Sequence, residues 1–131
     1  SDLLRFQSSV ASALHVTITW EDNTTTAYFG TGAALSTTAM TDIYTSTSIT
    51  SAVESVMLVN YDTNVNNDTC TVVWTDGSNN IQGYLCYDMV VPVGGTIELL
   101  QNPKYLASGY KIRASTPVAN RVAVHVAGKT L

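Results

Sequence analysis

The chain has 131 residues, 45% of them hydrophobic and only 12% charged, with a net charge of −4. That length suits one domain able to bury roughly two thirds of its unfolded surface without a metal or a disulfide framework. The acidic balance argues against a dedicated nucleic-acid binder, which presents a basic domain, and no apolar run nears the ~20 residues of a membrane-spanning helix.

In chain order, residues 2 to 10 read as a short helical turn or an extended arm, with Leu3, Leu4, Phe6 and Val10 apolar. The opening residues contain no unbroken apolar core of the kind a secretory signal needs. Residues 1 to 13 are expected to be an N-terminal arm or short helix and residues 14 to 131 the folded domain. In "LHVTITW" (14 to 20), Leu14, Val16, Ile18 and Trp20 alternate with polar residues, the period of a strand. "EDN" turns the chain into a returning strand, "TTTAYFGTG". "DIYTSTSIT" is an uncertain strand, and "SVMLVNYDT" a mostly apolar, central one.

Beyond the "NVNND" turn, "TCTVVWT" and "GYLCYDMVV" form strands joined by "DGSNNIQ". "PVGG" turns again, since Gly94 and Gly95 tolerate positive φ. "TIELL" is a strand that "QNPK" breaks, because Pro103 has no ladder donor. "GYKIRAS" and "NRVAVHVAG" close the chain as a hairpin across "TPVA". Seven to nine short strands with regularly spaced turns suggest an all-β sandwich or barrel, and an antiparallel sandwich, jelly-roll or immunoglobulin-like, is the expected fold.

Cys70 and Cys86 flank the turn near position 78 almost symmetrically. The alternation sets Cys70, Val72 and Trp74 on one face, and Leu85, Tyr87, Met89 and Val91 on another run. If both runs face the core, Cys70 points in and Cys86 out, so two free thiols are expected.

Catalytic chemistry finds little support. His15 and His125 occupy the polar parity of their strands, and no G-x-S-x-G elbow is present. Clustered Cys and His for zinc are missing. "DTNVNND" begins like a calcium loop, but Asn67 replaces the turn glycine and Val73 the closing glutamate, so it reads as a turn. No cofactor and no metal are expected.

Five of the six basic residues follow position 103: Lys104, Lys111, Arg113, Arg121 and Lys129. In the expected hairpin Arg113 faces Arg121, with Lys111 and His125 on the same side. Like charges opposite one another repel. An intramolecular carboxylate such as Glu98 or Asp88, an acidic partner subunit, or a phosphate would offset them.

The ordered features "LVNYDT", "YDMVVPVGGTIEL", "LASGYKIRAS" and "ANRVAVHVAGK" span roughly residues 55 to 129. In this order they resemble a β-sandwich module of small virion structural proteins in tailed bacteriophages, including phages of marine bacteria and cyanobacteria. Residues 1 to 54 match no such pattern. The resemblance implies a non-enzymatic particle component that decorates capsids, connects head to tail or sits on fibres. It implies location in the virion, assembled in the host cytoplasm.

The sequence is thus expected to encode a capsid decoration protein or other head or neck component. Its partners would be major capsid or neck and tail proteins and further copies of itself, as a trimer or larger ring, with no nucleic acid and no membrane. Leu3, Leu4, Phe6, Lys111, Arg113, Arg121 and His125 are the candidate subunit contacts. A receptor- or carbohydrate-binding module on a tail or fibre is the alternative, with Trp20, Trp74, Tyr28, Tyr44, Tyr84 or Tyr110 as stacking surfaces.

Overall fold

The computed structural model describes Arg5, Gln7 and residues 27–47, 50–62 and 66–131. The regular elements among them are nine β-strands: β1 (Ala27–Ala34), β2 (Thr41–Thr45), β3 (Thr50–Asn60), β4 (Asp68–Thr75), β5 (Ile81–Val91), β6 (Thr96–Glu98), β7 (Lys104–Ala107), β8 (Lys111–Ser115) and β9 (Val122–Thr130). The expected arm over residues 1 to 13 and the strand over 14 to 20 lie outside the described residues, apart from exposed Arg5 and Gln7.

The strands form two antiparallel sheets packed face to face, an all-β sandwich as the alternation predicts. One sheet runs β1-β9-β3-β6, with β7 also paired to β3; the other runs β2-β8-β4-β5. Val53, Val56 and Leu58 from β3 and Val124 and Val126 from β9 meet Val72 from β4 and Ile112 and Ala114 from β8 in the shared core. Burying each of the larger side chains contributes about 1.5–3 kcal/mol. Phe29 of β1 and Tyr44 of β2 stack with centroids 4.1 Å apart, tying the two sheets at one end.

Local breaks in period two keep these side chains inward. On β3 the register shifts between Val53 and Ser55, so Val53 and Val56, three apart, both reach the core while Glu54 turns outward. A bulge does this by opposing two residues to one. In the "PVGG" turn only Gly94 takes positive φ, at 66°, while Gly95 N donates to Pro92 O at 2.9 Å.

The expected β8–β9 hairpin is corrected. Strand β8 pairs with β2 and β4, and β9 with β1 and β3, so residues 116 to 121 cross from one sheet to the other. Backbone bonds of Leu35 with Val122 and Asn120, and Asn120 at φ 65°, anchor the crossing. Ile112, Ala114, Val122, Val124 and Val126 do line the core, but facing one another across it rather than side by side. Strand β7 begins at Lys104, the last residue of the expected break, and runs to Ala107; it pairs with Thr50–Val53, leaving Pro103 just before it.

Candidate interaction surface

The four expected basic contacts, Lys111, Arg113, Arg121 and His125, separate into three settings. On the outer side of the β2-β8-β4-β5 sheet, Asp42 is registered with Arg113 and Thr45 with Lys111. Arg113 Nε lies 2.6 Å from Asp42 Oδ1, and Lys111 Nζ 3.2 Å from Asp42 Oδ2. Lys111 also donates to Asn79 Oδ1 at 3.0 Å and Arg113 to Met40 O at 3.2 Å. Partial burial of Asp42 acts to raise its pKa, but the hydrogen bonds and charges of Arg113 and Lys111 prevail and hold it below 3.8. The carboxylate that offsets these two bases is therefore Asp42, not Glu98 or Asp88. Glu98 instead accepts from Ser55 Oγ and from the backbone N–H of Val56, and Asp88 from Thr71 Oγ1.

Arg121 lies in the crossing segment and reaches Asp62 Oδ2 at 3.5 Å and Asp68 Oδ1 at 3.1 Å. His125 is exposed on the outer face of the other sheet, between Met57 of β3 and Gly32 of β1. Lys129 pairs with Glu54 at 3.6 Å. The four expected contact residues Lys111, Arg113, Arg121 and His125 therefore do not form one basic face. They divide between the outer sides of two sheets and the connection between them. The expected contacts Leu3, Leu4 and Phe6 lie outside the described residues.

A feature that period-two reading missed is the outward face of β5. Its eleven residues run against the eight of β4, and three register shifts absorb the difference. Each shift adds one residue to a repeat of two, so equivalent positions recur every three. Ile81, Tyr84, Tyr87 and Val90 consequently all face solvent, with Tyr84 53% and Tyr87 70% exposed. The two tyrosine rings meet edge to face, 5.5 Å between centroids. Inward, Cys86, Met89 and Val91 take the core side, which corrects two expectations: Tyr87 is outside and Cys86 is buried.

Cys70 is registered with Met89, Val72 with Cys86, and both cysteines are free and buried. Burial, with the neighbouring Cys86 second, pushes the Cys70 thiol up to about 12; burial also raises Cys86. Trp74, expected at core parity, packs at the edge of the core, with Lys104 Nζ 3.5 Å from its ring centroid.

Among the described residues there is no concave pocket and no trio of His, Cys, Asp or Glu side chains placed to hold a metal. They include no helix long and apolar enough to cross a membrane; all of their regular elements are strands. The fold defines an antiparallel two-sheet β-sandwich. No protein-family model matches the chain, and no curated protein or solved structure is significantly similar to it.

Proposed function

We propose that the chain is a non-enzymatic structural subunit of a tailed-phage virion, a capsid decoration protein or another head or neck component. It acts by contact with major capsid or neck and tail proteins and with further copies of itself. The observation that carries this reading is the row Ile81, Tyr84, Tyr87 and Val90, four large apolar side chains exposed along one strand. Exposed contiguous apolar surface marks interaction sites, and tyrosine is enriched among the residues that dominate binding energy. Low overall charge supports the same reading, because contact centres are depleted in charged side chains. A subunit that binds only the assembled shell stabilises it by mass action.

The test is co-sedimentation of purified chain with phage capsids lacking it. Binding is expected for the natural sequence and a loss of about tenfold or more for Tyr84→Ser/Tyr87→Ser, the scale of a contact hot spot. Failure of the natural chain to bind any head or neck assembly overturns the reading.

The edge-to-face pair Tyr84 and Tyr87 also favours a second reading, a carbohydrate- or receptor-binding module on a tail or fibre. Exposed rings beside the polar side chains of Gln82 and Asp88 suit the apolar and hydroxyl faces of a sugar. Saturable binding to host-envelope glycans, lost in the same double variant, would select it over decoration.

A further inference from the structure

At one end of the sandwich the end of β3, the start of β4 and the crossing segment before β9 bring Asn60, Asp62, Asn66, Asp68 and Arg121 together. The Asn60 side chain organises the group. Its Oδ1 accepts from Asp62 N at 2.9 Å, and its Nδ2 donates to Asn66 O at 3.0 Å and Val91 O at 2.9 Å. The two carboxylates are withdrawn from water, with side chains 2% and 8% exposed for Asp62 and Asp68. Both lean on the single guanidinium of Arg121, so among the described residues one negative charge is in excess. Buried charge is costly unless it is paired and hydrogen-bonded.

The excess has a definite address. Asp68 Oδ1 takes the Arg121 bond, while Asp68 Oδ2 is buried with no hydrogen-bond partner among the described residues. It belongs to the carboxyl group whose other oxygen already shares the Arg121 guanidinium with Asp62. Asn66 Nδ2 lies 3.3 Å from Asp62 Oδ2, so rotating that amide would offer an oxygen beside the Asp62 carboxylate.

We propose that Asp62 and Asp68, with Asn66, bind a hard divalent cation, and that the cation is calcium. The donors are carboxylate and amide oxygens without sulfur or imidazole, which suits Ca²⁺ over softer metals. A site with few protein oxygens, completed by water, suits Ca²⁺ better than Mg²⁺, which demands a near-ideal octahedron. The arrangement is not the twelve-residue helix-flanked loop, since Asp68 lies in a strand and Val73 replaces its last ligand. Two carboxylates beside a guanidinium place the affinity in the weak range of about 0.1–1 mM. Arg121 acts as the internal counter-ion that holds the carboxylates when calcium is low, and its charge opposes the metal.

The test is calcium titration of the chelator-treated full chain, read by thermal unfolding and by equilibrium binding of Ca²⁺. About 10 mM CaCl₂ is expected to raise Tm by roughly 5 °C, while MgCl₂ at matched ionic strength has a smaller effect. Asp68→Asn should abolish the shift. Arg121→Gln should lower Tm without calcium and move the calcium midpoint several-fold lower. No Ca²⁺ bound by the natural chain, equal effects of the two salts, or a full shift in Asp68→Asn overturns the proposal. If Asp68→Asn does not fold, Asp62→Asn replaces it, and the binding measurement on the natural chain remains decisive.

Discussion

Trp74 lies across Gly83: the two are registered on β4 and β5, and a Cβ built at Gly83 would overlap the indole ring. Lys104 of β7, from the opposite sheet, also lies against the ring, so one tryptophan links both layers. The glycine is needed for that close approach. Gly83→Ala is expected to cost about 1–3 kcal/mol by overpacking, lowering Tm by several degrees and shifting the tryptophan emission. An unchanged melting curve would show that the ring relocates freely.

Asp42 is the shared anion of Lys111 and Arg113. Asp42→Asn leaves two like charges side by side, but Asp42 is 46% exposed, so the discounted cost is about 1 kcal/mol or less. The difference from the natural chain should narrow in 0.5 M salt, which screens exposed charges. Because the folded carboxyl titrates below 3.8, its contribution is complete above that pH and disappears as pH falls through the folded value. Denaturant titrations of both proteins should therefore converge well below pH 3.8.

The two thiols are free, buried and raised in pKa, Cys70 to about 12. A disulfide-exchange reagent reacts with the thiolate. At pH 8 the folded chain should show neither cysteine reacting on a timescale of minutes, and both should react at once in denaturant. Rapid labelling of native protein would show that this part of the core opens readily.

Arg121→Glu tests the role of the crossing segment. The substitution removes the cation from two buried carboxylates and adds a third acid, so a loss of about 3–5 kcal/mol is expected from breaking a buried pair. Tyr84→Ser or Tyr87→Ser, by contrast, should change the stability of the isolated chain by less than about 0.5 kcal/mol, as exposed substitutions do. Denaturant midpoints of the three variants would separate an internal clamp from an outward contact.

The sandwich was legible because alternation in β3, β4, β8 and β9 directs Val, Leu and Ile to one side whatever the strand order. The same alternation could not tell whether β8 and β9 lie side by side or face across the core, since both arrangements bury Ile112, Val122 and Val124. Only Pro117, which has no N–H for a ladder, hints at the crossing. The outward row on β5 was hidden for a related reason. Three bulges change its repeat from two to three, and bulge positions depend on the partner strand. Had the spacing of Ile81, Tyr84, Tyr87 and Val90 been read as a three-residue repeat, the row would have been visible. Lys111 and Arg113 were correctly placed on one face. Their counter-ion, Asp42, was missed because it lies 69 and 71 positions away in sequence, in a stretch whose strand boundaries were uncertain.

Among the described strands β5 is the border of its sheet, and its three bulges bear on what cannot happen at that rim. A straight border of evenly spaced N–H and C=O groups would template strand after strand from neighbouring molecules. Here the hydrogen-bonding groups are thrown out of step at each irregularity, so an incoming chain finds no continuous ladder to copy. The molecule can therefore carry four sticky side chains along a border strand and still be recognised by shape, without seeding fibrils.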